Sequence, residues 1–186
     1  SMSAHVDELK YHGFSVTKGI ANIPTAVVGE YGYDGPIIAF LGEYDALAGL
    51  SQKADAFQQD PIKKGENGHG CGHNLLGSAS MQAAVALKEW LKDSNLPGVV
   101  RYYGCPAEEG GAAKTFMVRD KIFKDVDVAI TWHPGCLPGI VKGSSLANCR
   151  VDFTFEGKAS HAAVSPHLGR SALDAIELMN VGVNYM

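Results

Sequence analysis

Long hydrophobic runs are missing from this chain: its unbroken apolar stretches are only a few residues, too short to span a membrane as a helix. Charge is sparse as well. Charged residues make up 19% of the sequence, below the usual share, and the net charge of −4 is mild. No basic stripe runs through it, which argues against nucleic acid or an anionic membrane surface as a partner. The first residues, Ser1-Met2-Ser3-Ala4-His5, have neither the basic start nor the apolar core of a secretion signal. Cysteine is scarce: Cys71, Cys105, Cys136 and Cys149 include no Cys-x-x-Cys pair, and nothing else looks like a secreted disulfide framework. These absences set the expectation of a cytoplasmic enzyme with free thiols.

What is present can bury a core. The chain has 186 residues, of which 46% are apolar, with 22 glycines and no internal repeat or low-complexity segment. Val6 and Leu9, stopped by Gly13, predict a short opening helix, and Thr25 to Tyr31 a strand that ends in the turn Tyr33-Asp34-Gly35-Pro36. Ile37 to Leu41 is a continuous apolar run, as in a strand buried on both faces. Residues 54–68 are polar, contain Pro61 and read as a loop. Leu76, Ala79, Ala83, Leu87 and Trp90 recur at helical spacing within 75–92, with Lys88, Glu89 and Lys92 on other faces. A strand over 99–103, a helix over 112–123 and a strand over 126–132 follow.

Strands alternating with helices of this length predict an α/β fold with a mostly parallel sheet covered by helices. The pattern changes near Gly143-Ser144-Ser145. Beyond it, Cys149, Val151, Phe153 and Phe155 alternate with polar residues, the period of a strand with one wet face. After a loop over 157–169, Leu168, Ala172, Ile176, Met179 and Val183 form a helical stripe. The expected division is therefore a unit over 1–145 and the start of a second over 146–186, with one strand and one helix that cannot close a core alone.

The chemistry-bearing residues fall just after predicted strands, where open α/β sheets hold their ligands. Cys71 and His73 sit in the glycine-rich turn Gly70-Cys71-Gly72-His73-Asn74, which opens a helix whose N-terminus favours a thiolate. The competing reading is a phosphate loop, but the glycines at 68, 70, 72 and 77 match neither G-x-G-x-x-G nor the P-loop. Glu108-Glu109 follows a strand, so one carboxylate can hold a metal while its neighbour moves protons; a solvated acidic turn is the alternative. His133 ends the apolar run Val128 to Trp132 and joins the candidate ligands, since Cys, His and Glu together suit zinc-like ions. Asp45, just past the central strand, either orients a ligand imidazole or caps the next turn. His69 is a candidate for contact behind the ligands, His5 and His12 read as surface residues, and Cys105, Cys136 and Cys149 as small apolar fillers.

Taken together, Gly42-Glu43-Tyr44-Asp45-Ala46-Leu47, Gly68 to Gly77, Gly104 to Gly111, and Ser160-His161-Ala162-Ala163 with Pro166-His167 resemble the cocatalytic zinc peptidase and amidohydrolase family. That family includes aminoacylase, hippurate hydrolase, indole-acetyl-amino-acid hydrolases and carboxypeptidase G. The resemblance is nearest to the p-aminobenzoyl-glutamate hydrolase and dipeptidase subgroup and covers nearly the whole chain. It implies Cys71 as a ligand bridging two metals, with His73, Glu109 and His133 as further metal ligands. The candidate catalytic residues it implies are Glu108 as general base, His161 as oxyanion stabiliser reaching a second copy's site, and Asp45. The implied cofactor is Zn2+, two per site in the full enzyme, with Mn2+ or Co2+ as alternatives. The implied partners are a small N-acyl amino acid or dipeptide substrate and a second copy, as a homodimer through a lid that opens at about Leu146.

The chain departs from the family pattern in three places. Asn74 stands where many relatives have Asp, the family's last metal-binding His lies downstream of Met186, and a leading helical segment usually precedes the position of Ser1. The resulting expectation is a metal-dependent amidohydrolase cleaving an amide between an acyl group and an amino acid. Its alternatives are a catalytically incomplete metal- or ligand-binding fragment and a thiol-based redox protein.

Overall fold

The computed structural model describes residues 1–140 and 143–186, which fall into two compact units, Ser1–Pro138 and Gly139–Met186. Among the described residues no helix is long and apolar enough to cross a membrane.

The first unit carries helix α1 (Met2–Tyr11) and strands β1 (Ser15–Lys18), β2 (Val27–Tyr33) and β3 (Ile37–Glu43). Helix α2 (His73–Asp93), strand β4 (Gly98–Cys105), the single turn α3 (Glu108–Gly111), helix α4 (Ala113–Arg119) and strand β5 (Val128–Ile130) complete it. The fold is α/β, and its five strands lie in the order β1-β2-β4-β3-β5. The sheet is mixed: β3 pairs in parallel with β4 and β5, while β2 pairs antiparallel with β4 and β1. The cause is local. Asp34 and Gly35, both at positive φ, reverse the chain after β2, and the α2 crossover returns β4 between β2 and β3, alongside one and against the other.

Period-2 alternation along β4 builds the core on both faces. Val100 and Tyr102 pack with Leu9 of α1, Phe14 just before β1, and Met81, Ala84 and Val85 of α2. Tyr103 and Cys105 point the other way, onto Met117 and the turn containing Ile122 and Phe123. Burial pushes the Cys105 thiol up to about 12, so it remains a protonated filler. Cys136 and Cys149 are exposed and do not fill any core.

Two polar residues expected at the surface are buried instead. Lys88 is 7% exposed. Its ammonium donates to the His12 carbonyl at the end of α1 (2.6 Å) and to Glu89, and it sits 4.9 Å from the Tyr31 ring centre. An orphan helix-end carbonyl thus takes the charge inside, while the stem packs on aromatics.

His5 is also buried, between Tyr44 and Tyr102, with Nδ1 2.8 Å from the Tyr102 hydroxyl. Burial, aided by the positive N-terminus, lowers its pKa, so the folded protein holds His5 neutral. The unfolded chain binds a proton near pH 6.5 (about the free value) and the folded chain only below it, so stability is lost as pH falls through that window. The melting temperature is expected to drop between about pH 7 and pH 5, and to drop less steeply in His5→Gln. Equal slopes for the two proteins would show that His5 does not contribute.

The second unit contains a 3-10 turn (Pro166–Leu168) and helix α5 (Ala172–Val183). Ser171 caps α5 by accepting the Asp174 N–H at 3.0 Å, so Leu168 precedes the helix instead of starting its stripe. The strand expected over 149–156 is not formed. An alternating pattern specifies which face a strand would bury, but the ladder itself needs a partner, and the described residues of this unit pair only Lys158 with Arg170.

Candidate metal centre

Three parallel strands deliver the site from their C-terminal ends. β3 terminates in Glu43 and leads to Asp45, β4 leads to Glu108 and Glu109, and β5 leads to His133. The remaining donors come from the turn that opens α2. Gly72 there has φ 87°, and a Cβ at this position would lie 2.9 Å from Pro134 Cγ, so glycine permits the close approach that sets Cys71 beside His133. The Trp132 indole N–H donates to the Leu76 carbonyl (3.2 Å), tying the segment after β5 to α2.

His73, the first residue of α2, is fully buried. Its Nδ1 lies 3.0 Å from Asp45 Oδ1, and the other oxygen of Asp45 accepts the Glu109 backbone N–H at 3.0 Å. Asp45 therefore contacts the imidazole and also satisfies a donor at the start of α3. With Nδ1–H committed to Asp45, Nε2 presents a lone pair. Glu43 Oε2 lies 2.9 Å from Nε2, and Glu108 Oε2 and Glu109 Oε1 each lie 3.9 Å from it. The first contact lacks the direction of a hydrogen bond: Glu43 Oε2, His73 Nε2 and Glu109 Oε1 are all buried and unpartnered. On the other side Cys71 Sγ sits 3.2 Å from His133 Nε2, whose Nδ1 faces the Pro134 carbonyl at 3.0 Å.

Donor atoms of Cys71, His73 and His133 lie within 4.8 Å of one another, as do those of Glu43, His73 and Glu108. The two groups share His73. Four carboxylates, from Glu43, Asp45, Glu108 and Glu109, surround His73, and among the described residues the one lysine or arginine side chain paired with any of them is Lys114, on Glu43 Oε1. Orphaned buried acceptors and uncompensated negative charge are what a cation would relieve, so the donor set fits a divalent metal.

The thiol behaves differently from the expectation that a helix N-terminus would favour thiolate. Loss of water, a hydrogen bond to Glu109 and the charges of Glu109, Glu108 and Glu43 raise the Cys71 pKa. Desolvation and the neighbouring carboxylates thus hold the thiol protonated, and a cation bound among them would favour the thiolate.

Of the residues singled out in the sequence, Asp45, Cys71, His73, Glu108, Glu109 and His133 come together here. His161 belongs to the second unit, where its Nδ1 accepts the Ala163 backbone N–H at 3.2 Å. His69 is exposed in the turn before Cys71. Glu43 and Lys114 join the site without having been assigned a role from sequence. The available signal was position: Glu43 ends the apolar run of β3 and lies two residues before Asp45, so extended backbone sends both to one side.

Comparison with known proteins agrees with this picture. The family described as peptidase family M20/M25/M40 matches residues 39–185. One of the p-aminobenzoyl-glutamate hydrolase subunits of Escherichia coli (strain K12) is 55% identical over 178 residues, covering 96% of this chain and 37% of that protein. The Xaa-Arg dipeptidase of Mus musculus is 34% identical over 148 residues, covering 76% of this chain and 29% of the relative. The chain thus spans between 29% and 37% of the length of these two curated relatives. A crystal structure of a Bacillus subtilis protein, described as a dinuclear metal-binding peptidase of the M20 family, superposes with a TM-score of 0.56 at 22% identity. That superposition covers 69% of this chain and 34% of the other, and it shows a common fold.

Proposed function

Since the chain belongs to peptidase family M20/M25/M40, we propose that it carries the metal centre of an amidohydrolase that cleaves the bond between an acyl group and an amino acid. The observation that carries this reading is the set of orphaned buried atoms around His73: Glu43 Oε2 lies 2.9 Å and Glu109 Oε1 3.9 Å from its unpartnered Nε2. The names of the relatives supply the substrate class: p-aminobenzoyl-glutamate and dipeptides are acyl or aminoacyl groups joined to an amino acid.

Cys71, His73, Glu109 and His133 would hold the metal, and zinc suits their mix of sulfur, nitrogen and oxygen, with Mn2+ or Co2+ as alternatives. When bound, the metal supplies Lewis acidity toward the scissile carbonyl and makes water a competent nucleophile near neutral pH. Asp45 fixes the His73 tautomer and, through the Glu109 N–H, the first turn of α3. Glu108 shares that turn, and its side chain is 45% exposed, open to an incoming water. Glu108 takes a proton from the attacking water and passes it to the leaving amine. His161 supplies a donor for the oxyanion in a homodimer formed through the second unit, and the enzyme works in the cytoplasm.

Elemental analysis of protein purified without chelator tests the reading. Zinc or manganese is expected in wild type, and less of it in Cys71→Ser and Glu109→Ala. Unchanged stoichiometry in both variants would refute the ligand set.

A further inference from the structure

Glu43 has a place in the site that the expected ligand set leaves unassigned. It is 7% exposed, and its two oxygens face different partners. Oε1 pairs with Lys114 of α4, whereas Oε2 has no hydrogen-bond partner and stands 2.9 Å from His73 Nε2. Because the Nδ1–H of His73 is held by Asp45, this contact sets a nitrogen lone pair against a carboxylate oxygen. Two acceptors at that distance repel unless a positive charge lies between or beside them. Lys114 meets only Oε1, so it neutralises the far side of the carboxylate and leaves the near side bare. Glu109 Oε1, the third orphaned atom, faces the same nitrogen at 3.9 Å.

We propose that Glu43 is a further metal ligand: its Oε2 joins His73 Nε2 at one divalent cation, and Lys114 is the positioning residue that turns Oε2 toward it. This rests on the metal-dependent reading above. It assigns Glu43 a direct part in holding the ion and Lys114 an indirect one. Asp45 and Glu108 keep their separate tasks.

The test is competition of the 186-residue chain with a chromophoric chelator for Zn2+ and for Mn2+. Wild type, Glu43→Gln, Lys114→Met, Lys114→Arg and Cys71→Ser are compared, with circular dichroism reporting the fold. Glu43→Gln keeps the shape but offers a neutral donor, and it is expected to weaken one ion by at least about 10–100-fold, the range for groups that only orient a ligand. Lys114→Met is expected to weaken the same ion less, and Lys114→Arg to restore it. Should Glu43→Gln fail to fold, Lys114→Met reads the same ion through the anchor.

Wild-type affinity in both Glu43→Gln and Lys114→Met overturns the proposal; the 2.9 Å contact would then be an ion pair with protonated His73. If Cys71→Ser loses metal while those two retain it, the metal-dependent reading stands and the role of Glu43 falls. If wild type binds neither Zn2+ nor Mn2+, both fall together.

Discussion

In a protein of its relatives' full length, Glu108→Gln is expected to leave metal content unchanged and to lower kcat for amide hydrolysis by about two to four orders of magnitude, the usual contribution of a general base. The two glutamates are adjacent in sequence but differ in environment. Glu109 has an orphaned, buried Oε1, whereas the Glu108 side chain is 45% exposed, and both reach within 3.9 Å of His73 Nε2. A buried acceptor without a partner suits a ligand; an exposed carboxylate beside it suits a group that must exchange protons with water and substrate. Glutamine preserves the shape of Glu108 but cannot accept the proton. The measurement is steady-state turnover of an N-acyl amino acid with parallel metal analysis. Loss of metal in Glu108→Gln would mean that the two roles are exchanged.

Asp45→Asn should weaken metal binding by about 10–100-fold, although Asp45 is not one of the proposed ligands. Its two oxygens accept from His73 Nδ1 and from the Glu109 N–H, both at 3.0 Å. An asparagine keeps one acceptor and turns an NH2 group toward the other donor. Either the first turn of α3 loses its partner, or His73 changes tautomer and aims a proton at the atoms meant to hold the ion. Chelator competition on Asp45→Asn, with the fold checked by circular dichroism, measures this directly. An affinity equal to wild type would reduce the two hydrogen bonds to packing.

Much of the site was legible because the signals were local. Apolar runs marked β3, β4 and β5, and the chemistry-bearing residues that follow them emerge together at the C-terminal ends of these parallel strands. What escaped was polar burial made by distant partners. His5 meets Tyr102 across 97 residues, and Lys88 meets His12 across 76, so no window of sequence contains both halves of either contact. Lys114 reaches Glu43 across 71 residues in the same way. The reverse error occurred over 149–156, where a good alternating pattern has no ladder to join. Strand β1 gives little signal because it is four residues long, with Val16 as its one large apolar residue, and pairs at the sheet's antiparallel edge. The mixed sheet follows from the same limit, since strand order is a property of the crossover and not of any strand's composition.

The placement of Cys71, Glu109 and His133 outside the strand ladder, with Glu43 in its last rung opposite Cys105, has a consequence for exchange kinetics. Glu43 is the final residue of β3, and Cys71, Glu109 and His133 lie in turns or first helical turns outside the ladder. Turns at strand tips open more cheaply than the ladder beneath them, because few buried contacts and interstrand hydrogen bonds must break. Cys71, Glu109 and His133 are therefore expected to rearrange at lower cost than β2, β3 and β4 lose their pairing. On the metal-dependent reading, a chain stripped by a chelator is expected to keep β2, β3 and β4 paired, and an unchanged circular dichroism spectrum after stripping is the check.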